Sequence, residues 1–430
     1  MKFEELLLYR DLEHMDIVRD ISLFCEEGEK SPALASSVVS RMINVAAEYG
    51  FSGNVWHCFL SLLLVDNKNS FSLAAEKRGE VQGTVYQAAL HDARILREMF
   101  SWNFTALGKK IARDCFKMLE NYVPALDDGV IFNRRIRDRI VDLSEKLSEA
   151  SDEIAFLKCM TDFYRDFGVG TFGLHKAFRV HHTIDDKVEI EPIARVKHVK
   201  LSDIVGMESQ KQKLIENTEA FLAGRPANNV LLFGDAGTGK SSCIKGILNQ
   251  YFDDGLRVIE VYKHQFKDLN EVISQVKSRN YKFIIYMDDL SFEDTETEYK
   301  YLKAVIEGGL EKKPDNILIY ATSNRRHLVH ENFSDKLDRR ENDDIHESDT
   351  VQEKLSLSAR FGVTIYFGRP MKKEFDTIVK ALAERNGIKM PEDQLLLEAN
   401  RWELSHGGMS GRTAEQFIDY LLGTRLTDQA

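Results

Sequence analysis

Hydrophobic and polar positions follow two different rhythms along this chain, and the rhythm changes near residue 196. In the first part, Ile136, Ile140, Leu143 and Leu147 recur at helical spacing, with Arg137, Asp138, Glu145 and Lys146 off that face. Tyr86, Ala89, Leu90, Ala93, Leu96 and Phe100 form a second stripe. Such stripes predict amphipathic helices whose apolar faces make a bundle core rather than a cofactor site. Beyond 196, short β-rich runs take over at Val230–Phe233, Arg257–Val261, Phe283–Met287, Ile317–Ala321 and Val363–Phe367. Helical segments separate them at Ser241–Tyr251, Leu269–Lys277 and Tyr299–Leu310. Five short strands joined by helices predict a parallel sheet covered on both faces. From Lys372 onward strand runs cease and two or three helices are predicted. Arg325–Glu347 is so charge-dense that it reads as an exposed loop or frayed helix.

Composition narrows the class. A chain of 430 residues predicts two or three domains. Its 58 basic residues against 69 acidic ones give a net charge of −11, which speaks against a protein built mainly to coat nucleic acid. Cys25, Cys58, Cys115, Cys159 and Cys243 are scattered without a C-x-x-C pair, so reduced thiols are expected, with neither a disulfide framework nor a zinc site. Charge interrupts the first ten residues too early for a signal peptide. The longest apolar run, Phe59 to Val65, is far too short to cross a bilayer. A cytoplasmic, membrane-free protein is the expectation.

The strongest local signal is Asn229-Val-Leu-Leu-Phe-Gly-Asp-Ala-Gly-Thr-Gly-Lys-Ser-Ser242. An apolar strand runs into Gly234-x-x-x-x-Gly239-Lys240-Ser241 and then into a helix, the context a phosphate-binding loop needs. Glycines let successive N–H groups converge on one anion, and the helix N-terminus adds to that field. Lys240 supplies a mobile cation for β- and γ-phosphates, and the Ser241 hydroxyl suits Mg²⁺. Gly168-Val-Gly-Thr-Phe-Gly173 also satisfies G-x-G-x-x-G, but it follows a helical stretch without a βαβ unit and reads as a glycine-rich hinge.

Further chemistry lies downstream in order. Lys282-Phe-Ile-Ile-Tyr-Met-Asp288-Asp289 is a strand ending in two carboxylates. Asp288 suits Mg²⁺ held through water, and Asp289, or else Glu293, suits polarising the attacking water. The next strand ends at Asn324, placed to hold that water. Arg360, in Leu357-Ser-Ala-Arg-Phe-Gly362, stands where a guanidinium could reach a neighbour's nucleotide. Ser410-Gly-Arg412-Thr opens the last helix, and Arg412 is positioned to sense the γ-phosphate. His327, His330 and His346 lie in the charged loop without metal-site context.

With that ordered set, the chain resembles an AAA+ ATPase, and more closely the bacterial AAA+ family known as a domain of unknown function. Leu201-Ser-Asp-Ile-Val-Gly-Met-Glu208, Ala321-Thr-Ser-Asn-Arg-Arg-His-Leu328 and the segments above carry the resemblance, which is specific over 200–430. It implies an α/β P-loop NTPase AAA+ core with a five-stranded parallel sheet in the order 5-1-4-3-2, a C-terminal helical lid and an N-terminal mostly α-helical domain. The boundaries expected are 1–195 for the helical domain and linker, 196–370 for the core and 371–430 for the lid. The resemblance also implies ATP and Mg²⁺ as cofactors. Gly234, Asp235, Ala236, Gly237, Thr238, Gly239, Lys240, Ser241 and Ser242 would cradle the phosphates, and Ile204, Val205 and Gly206 would contact adenine. Ser241 and Asp288 would serve the metal. Asp289 and Asn324 would serve hydrolysis, with Arg360 as arginine finger in a homo-oligomer and Arg412 as second sensor.

Two departures stand out. Asp289 replaces the usual Glu, one methylene shorter, which implies slow turnover. The loop Lys263–Leu269 lacks the aromatic-hydrophobic-Gly pattern of protein-threading pores. The reading is therefore a Mg-ATP-dependent ATPase acting on a protein client held by the helical domain. Its competitor is a nucleotide-gated binding module with little or no hydrolysis. A DNA-remodelling role stays open because Arg325, Arg326 and His327 lie beside the site, although the acidic total does not support nucleic acid as partner.

Overall fold

The structure, a computed structural model, describes residues 3–10, 12, 14–27, 31–110, 113–124, 134–193, 196–292, 296–307, 314–324 and 357–425. Glu293, Arg325, Arg326, the charged loop and its histidines lie outside the described residues. The chain forms two compact units, Met1–His175 and Lys176–Ala430.

The first unit is helical, and its core follows the predicted stripes. In the helix Arg134–Ser148, all of Ile136, Ile140, Leu143 and Leu147 are buried. In Thr84–Phe100, Ala89, Ala93, Leu96 and Phe100 are buried while Tyr86 and Leu90 are half-buried. Val55–Asp66 is apolar on most sides and is buried at every position from Val55 to Val65 except His57, so the longest apolar run is a core helix. Asp92 is buried and accepts the backbone N–H groups of Leu7, Leu8 and Tyr9 at 2.8, 2.8 and 3.1 Å, which fastens the start of the described chain. The Gly168–Gly173 segment is a locked turn. The Val169 N–H donates to the buried Glu76 carboxylate at 2.9 Å, and the Gly170 N–H to Val65 O at 2.9 Å. Positive φ at Gly168 (+78°) and Gly170 (+71°), and the 2.7 Å at which a Cβ on Gly173 would meet Phe167 O, account for its glycines. No helix among the described residues is long and apolar enough to cross a membrane.

The second unit holds the sheet. Its strands are β1 (Ala177–His182), β2 (Val188–Pro192), β3 (Val230–Gly234), β4 (Leu256–Glu260), β5 (Lys282–Met287), β6 (Ile317–Ser323) and β7 (Val363–Phe367). They lie in the order β2-β1-β4-β5-β6-β3-β7. The five expected strands take the expected 5-1-4-3-2 order, all parallel. The difference is at the edge, where β1 adds parallel to β4 and β2 returns antiparallel to β1. The sheet is thus seven-stranded, not five, and 177–192 belongs with it rather than with the helical segment ending at 195. Helical periodicity upstream masked these strands, because β1 is short and carries Arg179, His181 and His182 on its more exposed positions.

Strand burial follows position. β6 is buried at every residue because it is central, whereas edge strand β7 alternates. The chain leaves β3 toward β4 on one side and reaches β7 on the other, so the carboxyl end of β3 faces the crevice where open α/β sheets bind ligands. Three further helices, Lys372–Arg385, Glu392–Ser405 and Gly411–Arg425, share a core of Phe375, Val379, Leu395, Ala399, Phe417 and Leu421.

Candidate functional site

At the carboxyl end of β3 the chain turns through Gly234, whose φ is +131°. A Cβ there would lie 2.1 Å from the carbonyl oxygen of Phe367 on β7, so only glycine lets the two strands stay this close. The Asp235 N–H donates to that same oxygen at 3.0 Å. The loop then delivers Lys240 and Ser241 to the first turn of the helix Lys240–Tyr251. That helix is itself set closely against Leu201, since a Cβ on Gly246 would meet Leu201 Cδ2 at 2.6 Å. The contact brings Ile204, Val205 and Gly206 to the same cleft. Lys211, buried on a neighbouring helix, donates from Nζ to Ile204 O at 2.7 Å and steadies that segment.

The cleft measures about 600 Å³, within the usual range for small-molecule sites. Its walls include Ala236 to Ser242, Ile204 to Gly206, Asp288, Asp289, Asn324 and Arg412. Gly234 and Asp235 sit at the base of the loop rather than on the wall, and the Asp235 side chain faces Arg369 instead. Arg412 comes from the C-terminal helices, where its N–H donates to Gly237 O at 3.2 Å. Arg385 reaches back from the helix Lys372–Arg385 to Asp203, 3.4 Å away, tying these helices to the other end of the cleft.

Inside, the groups form one connected network. Lys240 Nζ donates to Gly234 O at 2.8 Å, Asp235 O at 2.7 Å and Asn324 Oδ1 at 2.9 Å. Asn324 Nδ2 in turn donates to Asp289 Oδ1 at 2.6 Å. Ser241 Oγ donates to Asp288 Oδ1 at 2.8 Å, and Thr322 Oγ1 to the same oxygen at 2.5 Å. Burial lowers the pKa of the Lys240 ammonium, against the opposing pull of Asp289, Asp235 and Asp288. Burial works against the Asp288 charge too, but donated hydrogen bonds, Thr322 foremost, outweigh it and hold the carboxyl below its ordinary value. Asp289 takes a left-handed backbone, φ +51°, which turns its short side chain toward Asn324.

These donors suit one kind of metal. Ser241 and Asp288 supply two oxygens on adjacent elements, already aligned by their mutual hydrogen bond. Among the described residues there is no group of three His, Cys, Asp or Glu side chains that could cage an ion. A hard cation that keeps waters and substrate phosphates around it fits this set, as Mg²⁺ does.

Arg360 is placed apart from the cleft wall, ion-paired with Glu307 at the end of the helix Glu298–Glu307. Sequence reasoning missed Thr322, Lys211, Arg385 and, on the cleft wall, Lys245. Only Thr322 had a readable signal, since pairing the two strands by their apolar runs sets 322 beside 288.

A family profile described as "Protein of unknown function (DUF815)" matches residues 174–425. Over 81 residues the chain is 31% identical to the replication factor C large subunit of Staphylothermus marinus, covering 19% of this chain and 18% of that protein. Over 256 residues it is 22% identical to chaperone protein ClpB of Propionibacterium freudenreichii, covering 53% of this chain and 26% of that one. The chain thus spans about a quarter or less of the length of these curated relatives. Among solved structures, a RuvB mutant from Thermotoga maritima superposes with a TM-score of 0.39 at 15% identity, covering 54% of this chain and 68% of that one. Because the matched profile spans more than half of the chain, the protein belongs to the family described as protein of unknown function (DUF815).

Proposed function

We propose that this chain binds Mg-ATP in the cleft and hydrolyses it to move the C-terminal helices and neighbouring subunits. The observation that carries the reading is the convergence of Lys240, Ser241, Asp288, Asp289, Asn324 and Arg412 on one cleft. The loop from Gly234 to Ser242 and Lys240 hold the phosphates, while Ile204, Val205 and Gly206 take the base. Ser241 and Asp288 would hold the metal. Magnesium, when bound, neutralises charge on the β- and γ-phosphates. Asp289 accepts the proton of the attacking water, which Asn324 orients. Arg412 carries the state of the γ-phosphate into the helices 371–430, which act as a lid. Arg360, apart from its own cleft wall, serves a neighbour's nucleotide in a homo-oligomer, and the helical unit Met1–His175 holds the client.

A second reading, a nucleotide-gated module that hydrolyses rarely, is favoured by one observation. Asp289, already a methylene short, is engaged by Asn324 at 2.6 Å. Calorimetry on Lys240→Ala tests the site, and unchanged ATP affinity would sink it. Steady-state phosphate release, wild type against Asp288→Asn, then separates the readings. Release above the variant's blank supports the motor, and tight binding without release selects the module.

A further inference from the structure

We infer that Thr322 is a positioning residue of this site, clamping the acidic pair so that Asp288 faces the metal and Asp289 faces water. This rests on the reading of the cleft as an ATPase centre. Thr322 lies on β6 and is 1% exposed. Its hydroxyl is used in both directions. As donor it bonds Asp288 Oδ1 at 2.5 Å, and as acceptor it takes the Asp289 N–H at 2.9 Å. A third bond runs from the Leu290 N–H to Thr322 O at 2.7 Å, so one residue grips three consecutive positions of the turn.

The register makes this grip specific. Met287 on β5 pairs with Ala321 on β6, which sets 322 opposite 288 just past the paired ends. The turn it holds is an unusual one, because Asp289 adopts φ +51° without being glycine. That conformation is uncommon for L-residues, although aspartate is among those that visit it most readily. Ser241 also donates to Asp288, but its hydroxyl has its own task at the metal. Thr322 donates to the same carboxylate from a buried position on β6. Both partners of the hydroxyl are members of the acidic pair, so an isosteric change to valine strikes the site rather than the packing.

Thr322→Val keeps the shape and removes the hydroxyl, whereas Thr322→Ser keeps the hydroxyl and drops a methyl. The first readout is the affinity of a fluorescent ADP analogue with Mg²⁺ and in EDTA, and the second is kcat and KM for ATP. A lost hydrogen bond to a charged group predicts that valine reduces the magnesium-dependent gain in affinity by about tenfold or more, with EDTA affinity unchanged. Its kcat falls while KM stays near wild type, and serine restores both quantities most of the way. Three results would overturn the inference: a wild-type magnesium gain in valine, equal losses with and without magnesium, or serine behaving as valine. If valine does not fold, Thr322→Ala is read by the same criteria. Wild-type protein that shows no magnesium gain at all, or a Lys240→Ala variant that still binds, defeats the ATPase reading itself, so the two failures are told apart.

Discussion

Replacing Gly234 by alanine tests how the phosphate loop is held. The added Cβ would lie 2.1 Å from Phe367 O and 2.8 Å from Phe367 C, both backbone atoms of β7. Neither can swing aside as a side chain would, so the strands must part by roughly an ångström to regain ordinary contact. Parting them breaks the Asp235 N–H to Phe367 O bond, a loss of about 1 kcal/mol. Holding an L-residue at φ +131° adds about 1–3 kcal/mol. With residual crowding the total is about 3–5 kcal/mol. Gly239 supplies the control. It too has positive φ, +96°, but a Cβ there meets only Ile204 Cγ2 at 3.6 Å, so backbone strain of about 1–2 kcal/mol is the whole cost. The assay is the thermal transition of the full chain that ATP shifts. At about 2–4 °C per kcal/mol, Gly234→Ala lowers that midpoint by about 10 °C and Gly239→Ala by about 4 °C. A Gly234→Ala midpoint within 2 °C of wild type, or the reverse ranking, would refute the reasoning.

Three further outcomes are expected. Arg360→Ala spares nucleotide binding but lowers turnover, and mixing it with Asp288→Asn protein partly restores phosphate release; absence of rescue on mixing argues against a shared site. Asp92→Ala leaves three backbone N–H groups without their buried acceptor and destabilises the helical unit by about 3–5 kcal/mol. Urea unfolding followed through the stacked Trp56–Trp102 pair measures this, and a change below about 1 kcal/mol contradicts it. Burial pushes the Cys58 thiol up to about 11 and the Cys243 thiol up to about 12, from an ordinary value of 9.0. Because the folded values are raised, their stabilising contribution is complete below pH 9 and is lost as pH rises through 11 and 12. Native protein at pH 8 should therefore modify Cys58 and Cys243 last in a timed alkylation read by mass spectrometry. Prompt labelling of either would show the burial argument to be wrong.

Much of this was legible in the sequence because the physics involved is local. Gly234, Gly239 and Lys240 stand in a fixed spacing set by one loop, and Ile136 to Leu147 follow one helix. The five-strand order also emerged, although by resemblance rather than by periodicity. What stayed hidden depends on contacts distant in sequence. Arg385 meets Asp203 across 182 positions of chain, and Thr322 could be found only by pairing the apolar runs of two separate strands. The left-handed backbone of Asp289 left no mark either, since aspartate carries no glycine-like signature. β1 and β2 were missed because an edge addition of five or six residues with charged faces looks like linker. The pairing of Arg360 with Glu307 likewise joins segments separated by the charged loop.

An ammonium has three hydrogens, and Lys240 has committed all of them: two to carbonyls of its own loop and one to Asn324. An arriving phosphate therefore cannot simply be added to this cation; it must take a hydrogen from an existing acceptor. The side-chain amide is the acceptor that yields most readily, since the two carbonyls are anchored in backbone. Asn324 would then keep only its bond from Nδ2 to Asp289, so the exchange would be felt next at that carboxylate. Under the proposed reading, anion arrival would thus reach Asp289 by a trade of partners across two hydrogen bonds.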